Sequence, residues 1–368
     1  MNTTKSQLDA LFNDIEQNQS IFEIPIVYNL EYFPDVVEKR LKVYYEFISR
    51  NNFGKRLNYI LNLMDNQSVS QDIKVLTRIK GLIDSINSSI SSYYNGLPNK
   101  AYESFSNSLT KIVKFQNHVA LSYIEPNEDF YRIRPSSNMV LSERKDIFHV
   151  GFEYRNFCNT QRYSIPGLPS LYLGKTSYLC YQELGRPNVS ESYISRFRSL
   201  DSIRVIDIQT VFSFIKGYNL MNNEKDKFDQ ILRYLLLFPL YLSSTIKVLH
   251  NESNFKTEYI IPQLLMQFVS ASNTKESSIG GIRFPSTKLR YSTEEEHGHY
   301  SCVFPIVKSN PKGFCSFLSG IFNLTEPKLM SDILGFENII DPFLKYSGSD
   351  FDKIDNALLK EKLDNVLK

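Results

Sequence analysis

A chain of 368 residues with 42 lysines and arginines against 40 aspartates and glutamates carries a formal charge of only +2. That length allows two cores, and the balance of charge argues against the concentrated basic stripe of a nucleic-acid binder. Four cysteines, Cys158, Cys180, Cys302 and Cys315, make no CxxC pair and have no histidine at zinc spacing, so reduced, buried thiols are expected rather than disulfides or a metal site.

The polar start, Met1 to Asp9, carries no signal-peptide pattern. It runs into the first of several helical patterns: Ser6 to Ile15, then Pro34 to Ser49 with Pro34 in a first turn, Asn51 to Asp65, Val69 to Tyr93 and Tyr102 to Leu121. Ile21 to Tyr28 reads as a short strand or an extended linker, and Asn95-Gly96-Leu97-Pro98 as a turn. These stretches predict a helical N-terminal region over residues 1–122, which could collar the next domain, recognise a partner or mediate a homo-oligomer.

The character changes near Tyr123. Phe130 to Arg134, Ser170 to Leu173, and Ile203 to Ile208 alternate like strands, and Gly281 to Phe284 and Ser301 to Ile306 follow late in the chain. Thr176 or Ser177 can cap a short helix with Leu179, Cys180 and Leu184 on its apolar side, ended by Gly185-Arg186-Pro187. Lys225 to Tyr241 and Glu258 to Ser270 read as helices, the second with Pro262 in its first turn. The longest apolar stretch, Tyr234 to Leu242, is broken by Pro239 and too short to span a membrane, so it reads as core. Strands and helices in mixed order predict an α+β domain over residues 123–368, with no membrane contact and a cytoplasmic setting.

A few polar residues could carry chemistry. Arg162 precedes a turn rich in proline and glycine, where a guanidinium can fork two hydrogen bonds to a phosphate; a surface arginine paired with a carboxylate is the plain alternative. Tyr172 faces away from Leu171 and Leu173, so its ring can stack on a base or serve as a half-buried structural tyrosine. Glu183 lies on a helix otherwise lined with apolar groups, where a carboxylate must be paired or functional. It could equally share a wet face with Gln182. Ser286, after Gly280 to Pro285, puts a hydroxyl at a strand tip. Arg132 and Arg134 share one strand face and can join Arg162 on a pyrophosphate, or simply face solvent. His297 and His299, after three glutamates, read as loop residues rather than metal ligands. No GxSxG, GxGxxG or GxxxxGK[ST] is present.

These residues resemble the RES domain, a family named for its arginine, glutamate and serine. The likeness rests on Phe130-Tyr131-Arg132-Ile133-Arg134, on Arg162 to Pro169, on Leu171-Tyr172-Leu173-Gly174, on Glu183, and on Gly281 to Ser286, over residues 125–325. Gln161 stands where many members have glycine, and Tyr163 where tryptophan is common. The resemblance implies an ADP-ribosyltransferase-like mixed α/β fold and a toxin of a toxin–antitoxin pair that consumes NAD by phosphorolysis or hydrolysis. It places Arg162 (with Arg132 or Arg134) on the NAD phosphates, Tyr172 at the nicotinamide end, Glu183 at the glycosidic bond and Ser286 ordering the site. It further implies inorganic phosphate as a possible acceptor, a cognate antitoxin that blocks the pocket, no metal, and no direct nucleic-acid contact. A protein ADP-ribosyltransferase using the same pocket, or a non-enzymatic interaction or regulatory module, remains the alternative.

Overall fold

The computed structural model describes residues 2–65, 74–115, 119–272, 279–288, 300–307, 309–335 and 346–367. In chain order they form α1 (Asn2–Gln17), α2 (Phe33–Arg50), α3 (Phe53–Asp65), α4 (Val75–Tyr94) and α5 (Pro98–Val113), then β1 (Ser122–Ile124), β2 (Asp129–Pro135), α6 (Arg144–Ile147), β3 (Ser170–Gly174), α7 (Ser177–Glu183), β4 (Ser192–Ser199) and β5 (Ile203–Asp207). There follow α8 (Val211–Leu220), α9 (Glu224–Ser244), α10 (Ile260–Ser272), β6 (Gly281–Pro285), β7 (Tyr300–Pro305), α11 (Ser316–Ile321), β8 (Phe322–Leu324), β9 (Lys328–Leu329), α12 (Met330–Leu334), α13 (Asp350–Leu358) and β10 (Asp364–Asn365). The fold is α+β, with a helical N-terminal region and one mixed sheet. No helix among the described residues is long and apolar enough to cross a membrane.

Two compact units divide the chain. The first holds Met1–Leu121 and Ile208–Phe268, the second Ser122–Asp207 and Val269–Lys368. The sequence division at residue 122 leaves 208–268 with the second domain, whereas by packing these residues group with the N-terminal helices.

In the first unit α9 is the central helix, packed by α1, α2, α4 and α8. Its stretch Tyr234 to Leu242 is buried, which makes it core as expected. Pro239 does not break it: the helix runs from Glu224 to Ser244 with the proline inside. A proline has no N–H for the carbonyl four residues back, and here that carbonyl, Leu235 O, accepts a 2.6 Å hydrogen bond from the Tyr44 hydroxyl of α2. Burial pushes the Tyr44 phenol well above its ordinary pKa. Ile21 to Tyr28 forms no strand. It is pinned as extended chain by Lys247 N–H on the Ile26 carbonyl at 2.8 Å and by Tyr28 donating to the buried Glu258 at 2.7 Å. Pro34 sits in the first turn of α2, and α5 starts at Pro98, one turn before the spacing of apolar residues suggests. The first residues of the expected Val69 helix, and part of the stretch expected to run to Leu121, lie outside the described residues.

The second unit is built on the sheet, in the order β1-β5-β6-β7-β3-β2-β4-β8-β10, with β9 on β4. One face carries Phe130, Leu171, Leu173, Phe197, Phe304 and Phe322, and a second cluster gathers Tyr131, Ile133, Ile194, Phe351 and Leu358. All four cysteines are free thiols, Cys158 half-buried and the others buried. Arg283 of β6 makes a two-pronged pair with Asp207 of β5, at 2.8 and 2.7 Å, across the parallel register that joins these strands. The desolvation this costs is outweighed by the carboxylate, which raises the pKa of the guanidinium.

Candidate functional site

The sheet divides at one place. β3 pairs with β7 along all five of its residues, and β2 pairs with β4 along seven. Between β2 and β3 the only register pair is Tyr131 with Gly174. Past that bridge, the Arg132 guanidinium reaches over and donates to the Tyr172 carbonyl at 2.9 Å. A strand edge that loses its ladder leaves backbone groups to be satisfied otherwise, and Arg132 meets one such need. Burial, and then its neighbour Arg134, depress the Arg132 pKa to about 10. Arg134 donates to the Asp146 carbonyl. Both arginines on this strand face are therefore engaged with backbone.

Nearby, His149 is buried between Phe148, Phe152 and Phe314. Its Nε2 accepts from the Cys315 amide at 2.9 Å while Nδ1 lies 2.8 Å from the Val150 carbonyl, which assigns the neutral, Nδ1-protonated ring. Burial above all, with the Arg132 charge adding to it and the Val150 carbonyl opposing it, drops its pKa to about 4.

The segment that enters β3 is shaped by two turns. Ser164 N–H closes one on Gln161 O at 3.2 Å, and Leu168 N–H closes the next on Ile165 O at 3.0 Å. In the second, Pro166 and Gly167 occupy the central positions, with Gly167 at φ +75°, the arrangement in which only glycine is comfortable. Between the turns Tyr163 is fully buried, its ring 4.5 Å from that of Phe284 on β6. Ser164 Oγ and Tyr172 OH share a 2.9 Å hydrogen bond.

After β3 the chain turns directly into α7. Thr176 caps it by accepting from Leu179 N–H at 3.2 Å, and Gly185 at φ +77° with Arg186 N–H on Tyr181 O closes it, as the sequence suggests. Gly174 has no room for a side chain: a β-carbon there would lie 2.6 Å from Cys180 Sγ. The faces of α7 differ from expectation. Leu184 is exposed, and Gln182 is buried and accepts from Arg186 at 3.1 Å, so Gln182 does not join Glu183 on a wet face. The N-terminal end of α7 is held by α13. Both Asp355 oxygens lie 3.3 Å from Ser177 N, Tyr346 donates to the same carboxylate, and the Tyr178 and Tyr181 rings pack on Phe351.

Glu183, the last residue of α7, meets the end of β6. Buried Ser286 donates from Oγ to Glu183 Oε1 and accepts from the Lys288 amide at 3.1 Å. Lys288 Nζ donates to the Glu183 backbone carbonyl, and Arg162 donates to Thr287 Oγ1 at 3.3 Å. The buried Tyr163 phenol feels the charges of Arg162 and Glu183 and the Tyr172 phenol. Its pKa is raised by burial above all; the Arg162 charge opposes that rise, and Tyr172 and Glu183 add to it. Arg162, Tyr172, Glu183 and Ser286, drawn from four separate segments of the second unit, thus lie in one polar cluster around Tyr163. His297 and His299 fall outside the described residues.

Sequence reasoning gave no role to Tyr163, Ser164, Thr287 or Lys288. One signal was available for the last two: a serine followed two residues later by a free amide is a local turn motif, and Ser286-Thr287-Lys288 uses it. The clasp from α13 had no sequence signal, because Ser177 and Asp355 are 178 residues apart. Chemically, the cluster offers a carboxylate oriented by a hydroxyl donor, a guanidinium bonded to the threonine next to that donor, and two phenols.

The chain is 31% identical over 273 residues to a protein of Bacillus subtilis (strain 168) named "Putative toxin YopC". The aligned part covers 70% of this chain and 60% of that protein's length. No family model matches the chain, and no solved structure matches it.

Proposed function

We propose that the second unit is an NAD-consuming enzyme that cleaves the bond between nicotinamide and ribose, with a toxin-type activity. The observation that carries this reading is the Ser286–Glu183 contact with Arg162 bonded to the adjacent Thr287. A carboxylate fixed by a donor on one oxygen keeps the other for a ligand. Glu183 Oε2 has no hydrogen bond among the described residues. The relative's name, as a toxin, supports the same reading at the level of activity class, as does the likeness of the Arg162, Tyr172, Glu183 and Ser286 segments to the RES pattern.

In the proposed reaction the C1′–N bond breaks, its electron pair goes to the ring nitrogen, and the cationic pyridinium leaves as neutral nicotinamide. Positive charge develops on the ribose, as in glycoside cleavage, and Glu183 stabilises it. Arg162 anchors the diphosphate, so that binding remote from the reacting bond orients it. An oxygen of inorganic phosphate or of water then bonds to C1′. When water is the acceptor its proton is released to solvent. Ser286 holds Glu183 in the required orientation, and Tyr172 packs the nicotinamide end.

Incubating the purified chain with NAD, with and without inorganic phosphate, and separating the products tests this. Nicotinamide release is expected in one or both conditions, and radiolabelled phosphate in the sugar product identifies phosphorolysis. Label from NAD on a protein instead would support ADP-ribosyl transfer, and no consumption of NAD would refute the reading.

A further inference from the structure

We propose that Lys288 is a positioning residue for this site, one that fixes the Glu183 carboxylate by binding both Glu183 and the serine that orients it. The inference rests on the reading of Glu183 given above, and its structural half can be tested apart from that reading.

Three contacts close a ring. Lys288 Nζ donates to the Glu183 carbonyl, Lys288 N–H donates to Ser286 Oγ at 3.1 Å, and Ser286 Oγ donates to Glu183 Oε1. Each has a distinct consequence. At the end of α7, the carbonyls of Cys180, Tyr181 and Gln182 are taken by the amides of Leu184, Arg186 and Gly185. The Glu183 carbonyl is the next one outward, and a cation there also suits the negative end of the helix. The ammonium therefore ties down the backbone from which the Glu183 side chain departs. Because the Lys288 amide points its hydrogen at Ser286 Oγ, the serine's own proton is directed to the carboxylate. One residue thus sets both the root of the Glu183 side chain and the direction of the hydroxyl that holds its tip. Arg162 pins Thr287 between them at 3.3 Å, so the lysine's position is set from the other side as well.

Lys288 itself is exposed, and exposed contacts of this kind add little to global stability. Its effect should therefore be on geometry, with unfolding hardly moved. Lys288→Met keeps the length of the side chain and removes its three donors; Lys288→Arg keeps charge and donors. Hydrogen exchange of the full chain, followed over residues 180–187, reads the clasp without any activity. Lys288→Met should quicken exchange there by about threefold or more, as local opening at a helix end becomes easier, and Lys288→Arg should restore most of the protection. In nicotinamide release, Lys288→Met should lower kcat about tenfold with KM for NAD little changed, since a displaced carboxylate harms the transition state more than binding, and Lys288→Arg should recover part of it.

Unchanged exchange in Lys288→Met would overturn the clasp. Faster exchange with wild-type kcat would overturn the positioning role. If the wild-type chain releases no nicotinamide, the NAD reading falls alone, and the exchange data still decide whether Lys288 holds the end of α7.

Discussion

Tyr44→Phe removes one hydroxyl from the first unit, and Pro239 makes its cost calculable. The Tyr44 side chain and Leu235 are both fully buried, and the 2.6 Å bond between them supplies the donor that Pro239 cannot. Phenylalanine fills the same space, so no cavity opens; what is lost is the partner of a buried carbonyl. Leaving such a group unsatisfied costs about 1–3 kcal/mol. At a urea dependence of about 2 kcal/mol per molar, the unfolding midpoint should fall by roughly 0.5–1.5 M. The mechanism is separable from general packing by a cycle with Pro239→Ala, which returns an N–H to the helix and gives the Leu235 carbonyl its ordinary partner. In that background Tyr44→Phe should cost less than about 1 kcal/mol, leaving a coupling on the order of 1–2 kcal/mol between the two positions. Equal costs in both backgrounds would refute the assignment of the hydroxyl to the gap left by the proline.

Two further outcomes concern the second unit. Burial raises the Asp355 carboxyl from 3.8 to about 7 and lowers His149 from 6.5 to about 4, and these act in opposite directions on stability. The Asp355 contribution is complete below its unfolded pKa and is lost as pH rises towards 7; that of His149 is complete above 6.5 and is lost as pH falls towards 4. From these two groups the wild-type chain should show little net slope between pH 4 and 6.5. Asp355→Asn should expose a rise in unfolding free energy with pH of up to about 1.4 kcal/mol per unit across that window, measured by urea titration at each pH; a slope unchanged from wild type would contradict the burial argument. Gly174→Ala should destabilise by about 1–3 kcal/mol, because its β-carbon would stand 2.6 Å from Cys180 Sγ. Cys180→Ala in the same chain should recover part of that loss, and no recovery would mean that the clash lies elsewhere.

Much of the helical unit could be read from spacing alone. Pro34 in the first turn of α2 and the turn at Gly96, φ +73°, carry local signals that the fold respects. α9 was legible both as core and as a helix from Lys225 to Tyr241; what was not legible is why it tolerates Pro239, because the hydroxyl that serves the freed carbonyl comes from α2. β4 escaped for a different reason. In the order of the sheet it lies between β2 and β8, with Ile194 and Phe197 buried and Ser192, Ser195 and Ser199 buried as well. A strand buried on both faces does not alternate between apolar and polar residues, and its serines imitate a loop. At the site, only Glu183 stands out against its own local pattern; Arg162, Tyr172 and Ser286 could be picked out with it because their segments together resemble the RES pattern. Their neighbour Tyr163 could not, since one tyrosine among 23 says nothing until Phe284 and the turns around it are placed. The same limit applies to Arg132, whose bond to the Tyr172 carbonyl exists only because β2 and β3 part after one pair.

Nicotinamide release by Glu183→Gln, set beside wild type under identical conditions, tests the central claim most directly. The amide keeps the size of the side chain and one acceptor for Ser286 but removes the negative charge, so release should fall by about a hundredfold or more while the urea midpoint moves little. Equal release by both proteins, or a variant that loses activity only by unfolding, would contradict a carboxylate acting on the ribose.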